Sequence, residues 1–402
     1  MASKAKNRGQ SAEAGRRGPD VRSDCWVSVT LADAGGLNVS FAGKVAGMYG
    51  RSTRDLIVQE MKALGVRHAE VEIEDAGALP FVVTARVEAA VRRLGLDVGE
   101  GFLPEMAEHA RYGTQRERFR RSRLYLPGNE SKFMLNAGLH KPDGIILDLE
   151  DSVAPPEKDA ARTLVRNALH SIDFKGSERM VRINQGDRGL GDLEFIAAHN
   201  VHVVLIPKVE SAEQVIAVDK KIKELLAAKG IDRPVYLMPI VESALGAIRA
   251  YEIATASANT VALTIGLEDY TADIGVQRTD EGRESFWARC QVVNAARAAG
   301  VQPIDTVYSD VANMEGLRQA VLEAKGLGFD GKGCIHPRQI AVIHEAFAPT
   351  EAELTKARRI VEAFEDAQKT GLGVVSLGTK MIDPPVVKRA QRIVKLAEAL
   401  NT

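Results

Sequence analysis

The chain has 402 residues, 45% of them hydrophobic and 27% charged, with a formal net charge of −1. That length and apolar content suit one large domain with a smaller companion, and the charge balance excludes nucleic-acid binding through a broadly basic surface. No apolar run approaches the roughly 20 residues of a membrane-spanning helix.

In chain order, residues 1–20 carry Lys4, Lys6, Arg8, Arg16 and Arg17 beside no apolar region, so they read as a disordered basic tail rather than a secretory signal. Glu13, Asp20 and the lack of an apolar face weaken a transit-peptide reading. Residues 21–98 read as a small α+β domain. Cys25–Leu31 and Leu37–Phe41 alternate like strands, and residues 51–64 place Leu56, Ile57, Met61 and Leu64 on one helical face. Ala69–Glu74 and Phe81–Ala85 read as a second strand pair, and Glu88–Leu94 as a helix. Glycine and proline near 99–104 mark a boundary, residues 99–120 form a connector, and the charged segment 108–122 is predicted helical.

Residues 121–350 have a different rhythm. Apolar runs at Arg123–Leu126, Gly144–Leu147, Arg179–Ile183, His202–Ile206, Val235–Met238, Thr260–Ile265, Ile304–Val307 and Lys332–Ile335 alternate with helical segments. A doubly wound sheet uses many of the same segments. Eight strands with polar residues just beyond their ends favour the closed (β/α)8 TIM barrel. Residues 351–402 read as a C-terminal helical extension, with an amphipathic helix at 351–369 that Gly371 and Gly373 interrupt before Met381-Ile-Asp383-Pro384-Pro385. The extension either caps its own barrel or crosses to a neighbouring protomer, carrying Asp383 with it.

Two strand ends carry the chemistry. Pro239-Ile-Val-Glu242-Ser and Gly266-Leu-Glu268-Asp269-Tyr place Glu242 and Asp269 about one strand–helix repeat apart, over one rim of a closed barrel. Such a pair can hold a hard divalent cation such as Mg2+, or simply pair with basic neighbours. Cys25, Cys290 and Cys334 form neither a disulfide framework nor a Cys-rich zinc site, which points to a reducing, cytoplasmic setting.

Residues 121–390 resemble the citrate lyase beta-subunit branch of the HpcH/HpaI aldolase family. The matching signals are Arg121-Ser-Arg-Leu-Tyr-Leu-Pro-Gly, Ile146-Leu-Asp-Leu-Glu150-Asp151, Val181-Arg182-Ile-Asn184, the two acidic motifs, Gly331-Lys-Gly-Cys-Ile-His336-Pro337 and Met381-Ile-Asp383. The resemblance implies a Mg2+-dependent barrel enzyme that cleaves or forms carbon–carbon bonds in acyl thioesters. Glu242 and Asp269 are then the metal ligands, and Arg182 and Arg121 the groups for an α-oxo acid. Glu150 is expected to hold metal-bound water or orient Arg121, Asp151 either assists or caps a helix, and Asp383 is the acid/base group, acting in cis or in trans. His336 beside Pro337 fits a strand-ending turn better than acid/base work, and Glu268 is read as structural.

The expected substrates are a short β-hydroxyacyl-CoA, such as citramalyl-CoA or malyl-CoA, releasing acetyl-CoA and an α-oxo acid. The alternatives are a citryl-carrier lyase releasing oxaloacetate and a nonenzymatic scaffold for citrate lyase-like subunits. The resemblance also implies a homo-oligomer, read as a trimer. Residues 20–95 resemble the gamma acyl-carrier subunit of citrate lyase through Phe41-Ala-Gly-Lys-Val-Ala-Gly-Met-Tyr-Gly, Glu74-Asp-Ala-Gly-Ala-Leu and Thr84-Ala-Arg-Val-Glu-Ala-Ala-Val. Matching Asp24 to the carrier motif puts Arg22 where the arm-bearing serine belongs and Ser23 beside it. No covalent CoA-like prosthetic group is therefore expected.

Overall fold

The computed structural model describes residues 9–42, 46–103, 105–369, 375–377 and 380–400. The small domain is a four-stranded sheet in the order β1-β2-β4-β3, formed by β1 Ser11–Gly15, β2 Cys25–Leu31, β3 Leu37–Ala42 and β4 Ala69–Asp75. In β4 the apolar residues alternate with acids, so Ala69, Val71 and Ile73 are buried beneath α1 (Ala46–Ala63) and α2 (Pro80–Arg93) while Glu70 and Glu72 face outward. Two expectations are corrected here. Ser11–Gly15 is no disordered tail but an edge strand paired antiparallel with β2; Lys4, Lys6 and Arg8 lie outside the described residues.

Phe81–Ala85 is no strand but the first half of α2. Its apolar, β-branched run imitates a buried strand because both sides of this helix are covered. One side packs on the sheet and the other on the barrel helix Lys158–Ser171, where Thr163 Oγ1 donates to Ala85 O at 3.1 Å and Asn167 Nδ2 to Phe81 O at 3.1 Å. Pro80 opens the helix where its missing N–H costs nothing.

The large domain is a closed parallel barrel of β5 Ser122–Pro127, β6 Gly144–Asp148, β7 Glu178–Arg182, β8 Val203–Ile206, β9 Tyr236–Val241, β10 Ala262–Ile265, β11 Gln302–Val307 and β12 Gly331–Cys334. Closure comes from the pairing of β12 with β5, Lys332 opposite Ser122. Ile146, Met180, Leu205, Ile240 and Ile304 fill the interior, while alternate residues such as Ile145, Leu147 and Val181 pack against the helices.

The connector is not helical as predicted: beyond a short 3-10 turn at Glu108–Ala110 its described residues run without regular structure along the N-terminal mouth. The barrel supplies its partners. Arg120 forks onto Glu178 at 2.7 and 2.8 Å, and Arg116 donates to Ala258 O and Thr260 O. These bonds satisfy groups at the strand starts, which a helix turned inward on its own hydrogen bonds would leave open.

The extension pairs helices Glu351–Lys369 and Pro384–Leu400 around Ala357, Ile360, Ile382, Val387 and Ala390. The short antiparallel strands β13 Val375–Leu377 and β14 Lys380–Ile382 stand between them. Gly371 and Gly373 lie outside the described residues.

The junction of the domains buries charge. Glu88 of α2 pairs with Arg166 of the barrel and with Arg92 at 2.8 Å. Next to it Glu60 is fully buried, and among the described residues neither of its oxygens has a side-chain hydrogen-bond partner, although the Phe102 backbone lies close enough to oppose a rise in its pKa. Burial first, and the charge of Glu88 second, push its carboxyl up to about 8. The fold therefore prefers the protonated form. That preference stabilises fully below about pH 4.5 and is lost as pH rises through about 8.

Glu60→Gln should remove this slope and gain on the order of 4 kcal/mol over wild type at pH 9. Denaturant unfolding between pH 5 and 9 checks it, and an unchanged slope would show Glu60 to be paired.

Candidate active site

The C-terminal ends of β6 to β10 deliver the charged groups to one rim. Asp148, the last residue of β6, is 1% exposed, and a lone buried carboxylate there would be costly. Arg182, the last residue of β7, meets it with both edges of a fork, Nε to Oδ1 and Nη2 to Oδ2 at 2.7 Å each. Burial raises Asp148, but this fork and the guanidinium charge outweigh it and hold the carboxyl below the ordinary range. Arg182 also stacks over the Tyr125 ring at 5.4 Å.

Glu150 stands two residues beyond β6. Its Oε2 is 3.0 Å from Arg182 Nη1, and its Oε1 accepts from Gln185 Nε2 at 2.8 Å. Asp151 reaches the same Arg182 nitrogen at 3.3 Å. The expected pairing of Glu150 with Arg121 is thus corrected to Arg182.

Glu242 follows β9 directly and is 5% exposed. Its Oε1 accepts the Lys208 backbone N–H at 3.0 Å. Gly266 makes room for the other oxygen, because a Cβ there would stand 2.6 Å from Glu242 Oε2. Burial pushes the Glu242 carboxyl well above its ordinary value, the charges of Asp269 and Glu150 adding to the rise while the Lys208 N–H and Arg182 oppose it. Asp269 sits in the first turn of the short helix Leu267–Asp273 rather than on a strand. Glu268, beside it, pairs with Arg278 at 2.6 Å.

Lys208, missed in the sequence, ties these groups together. Its Nζ is 3.0 Å from Asp269, 3.8 Å from Glu150 and 3.9 Å from Asp151. Burial works against its charge, but the bond to Asp269 and the charges of Asp151 and Glu150 hold its pKa above the ordinary value. Asp148 was also missed; a carboxylate ending an otherwise apolar strand, one turn from Glu150, was the signal available.

Two expected residues do not join this cluster. Arg121 precedes β5 and so belongs to the opposite, N-terminal mouth, where its fork is taken by Asp143 at 2.8 and 2.9 Å. Its expected contact with a substrate held by Arg182 is therefore corrected. Asp383 caps the last helix, its Oδ1 accepting from Val386 N, and that helix reaches Asp330, ahead of β12, through Arg392. Among the described residues the chain's own Asp383 makes no bond to the Glu242 cluster. His336 takes the N–H of Arg338 on Nδ1 in the turn after β12.

Among the described residues, no group of three or more His, Cys, Asp and Glu side chains is arranged to enclose an ion. Glu242 and Asp269 nevertheless fit Mg2+. They are hard oxygen donors in a cluster of five carboxylates, with Asp148, Glu150 and Asp151, against the cations Arg182 and Lys208. Mg2+ is commonly held by one or two carboxylates, with waters and substrate completing its shell.

A family model described as HpcH/HpaI aldolase/citrate lyase matches residues 121–337. Another, described as ACP, malonate decarboxylase delta subunit (MdcD), matches residues 17–94. The chain is 43% identical to citrate lyase subunit beta of Haemophilus influenzae, over 70% of this chain and 98% of the relative. It is 34% identical to the mitochondrial citramalyl-CoA lyase of Mus musculus, over 70% of this chain and 87% of that one. Protein CitE from Mycobacterium tuberculosis, solved in complex with magnesium, acetoacetate and coenzyme A, is similar with a TM-score of 0.59 and 32% identity, covering 71% of this chain and 100% of that one.

Proposed function

The chain belongs to the HpcH/HpaI aldolase/citrate lyase family, and from that premise we propose that it is a Mg2+-dependent carbon–carbon lyase of CoA thioesters. Its substrate is a short β-hydroxyacyl-CoA such as citramalyl-CoA or malyl-CoA, cleaved to acetyl-CoA and an α-oxo acid. The observation that carries this reading is the convergence of Glu242, Asp269, Glu150 and Arg182 on one rim. Glu242 and Asp269 would hold Mg2+, which would supply a Lewis acid to polarise the oxo acid. Arg182 is held flat by Asp148 and Glu150, so its remaining donor capacity meets a small carboxylate at a fixed angle. Glu150 positions that guanidinium. Cleavage passes the hydroxyl proton to a carboxylate of the rim, breaks the Cα–Cβ bond and leaves an enolate on the thioester, whose carbon takes a proton from an acid at the rim.

That acid is Asp383 of a neighbouring protomer in a homo-oligomer, read as a trimer. The support is that its own chain docks the last helix through Arg392 at the N-terminal mouth. The three cysteines are unpaired, which suits a reducing cytoplasm.

Product formation from free citramalyl-CoA, malyl-CoA and protein-linked citryl thioester, with Mg2+ and then with chelator, tests the substrate. Turnover of a free CoA ester, lost on chelation and restored by Mg2+, is expected. Activity confined to the protein-linked substrate would favour the citryl-carrier lyase, the reading that the carrier-like match over residues 17–94 supports. No turnover by the pure chain would favour the scaffold.

Asp383 is tested by mixing two inactive variants, Asp383→Asn and Asp269→Asn, and reassembling them. Recovered activity is expected from oligomers in which one chain lends Asp383 and the other the metal site. Mixed oligomers without recovery would place the acid in cis or elsewhere.

The carrier-like domain bears no covalent arm. Arg22 has no hydroxyl, and Ser23 is pinned at the domain junction: its N–H donates to Ala76 O at 3.0 Å and its carbonyl accepts from Ser131 Oγ at 2.5 Å. Intact-mass and peptide analysis of native material should find Ser23 unmodified. A CoA-like phosphodiester there, with activity lost in Ser23→Ala, would reverse this.

A further inference from the structure

Lys208 is rooted differently from an ordinary surface lysine. Its φ of +49° is left-handed, a conformation that costs an L-residue free energy unless its surroundings impose it. They do so on both sides. The Lys208 N–H donates to Glu242 Oε1 at 3.0 Å, and the next N–H, of Val209, donates to Ile240 O at 3.1 Å. The backbone is thereby fixed over the rim, and the side chain, one-third exposed, reaches across it to Asp269 Oδ1 at 3.0 Å. Glu150 and Asp151 stand within 3.9 Å of the same ammonium.

We propose that Lys208 is an internal cation that competes with the divalent ion for Asp269, so that ion entry and release of this ammonium are one exchange. The inference rests on reading Glu242 and Asp269 as the ion's ligands. A dication held by Asp269 would repel the ammonium that already sits on the same carboxylate, so each would weaken the other's hold on it. The ammonium has somewhere to go, because Glu150 and Asp151 are already near it and its side chain is partly exposed. Released, it becomes a donor for an anion arriving in the cleft, such as the carboxylate of an α-oxo acid. Ion and oxo acid then favour each other's binding, since the anion offsets the charge that the exchange sets free.

The full-length chain and its Lys208→Met, Lys208→Gln, Lys208→Arg and Asp269→Asn variants are titrated with Mn2+ alone, and free Mn2+ is read by electron paramagnetic resonance. Lys208→Met and Lys208→Gln should bind Mn2+ about tenfold or more tighter than wild type, and Asp269→Asn more weakly. Lys208→Arg keeps the charge and should stay within about threefold of wild type. In chelator, Lys208→Met should melt below wild type, because the carboxylates lose one of their counter-charges, and saturating Mn2+ should close that gap. Equal or weaker Mn2+ binding by both neutral variants, with binding still weakened by Asp269→Asn, overturns the competition and leaves the ion ligands standing. Unchanged binding by Asp269→Asn overturns both.

Discussion

The bidentate pair of Asp148 and Arg182 is the interaction on which the rim depends. A carboxylate buried at a strand end cannot stay ionised unless a cation is held against it, and breaking such a pair from one side costs about 3–5 kcal/mol. Once Arg182 is committed to Asp148 its plane is fixed over Tyr125. Glu150 and Asp151 then meet its remaining nitrogen. Glu150 and Asp151 in turn border Lys208, and Lys208 holds Glu242 with its backbone and Asp269 with its side chain. Groups from five successive strand ends thus form one electrostatic chain. Moving any member shifts the charge balance of the rest, which is how a rim can be preorganised without being rigid at every loop.

The barrel also explains why the two ends of its strands take different roles. At the N-terminal mouth the cations are consumed by structure: Arg120 by Glu178, Arg121 by Asp143, and Arg116 by backbone carbonyls. These pairs strap the connector across the mouth and close the barrel from below. At the C-terminal mouth the acids outnumber the cations, and the excess is what suits a divalent ion. The chain separates its charge by direction along the strands, not by region of sequence.

That separation also decides what the sequence could reveal. Most of the eight barrel strands were legible as short apolar runs ended by polar residues, Gly331–Cys334 being read instead from its place in the alternation, and Glu242 directly follows such a run. Arg121 was misassigned for a reason the sequence itself contains. It stands before its strand, so it belongs to the mouth opposite Glu242, but it was grouped with Arg182 by motif. Phe81–Ala85 was misread because a helix buried on both faces loses the periodicity that separates helix from strand. Ser11–Gly15 was hidden by its charged surroundings, since an edge strand needs few apolar residues. Lys208 left no local mark. A left-handed φ at a non-glycine residue follows from contacts with Glu242 and Ile240, which are distant in sequence.

The junction between the domains bears on how the carrier-like fold can be used. A carrier must swing its arm between sites, which requires a loose attachment. Here Arg86 forks onto Asp24 at 2.7 and 2.9 Å and also donates to Asn129 O, so one buried guanidinium spans both domains. Arg166 and Glu88 form a second buried pair across the junction, and Asn167 and Thr163 bind the α2 backbone. Parting the domains would expose or unpair all of these groups together, and each buried charge left without its partner is costly. Ser23 is held by hydrogen bonds at this junction. A domain fixed in this way acts as an extension of the barrel wall, joined to it by buried polar pairs rather than by a loose linker.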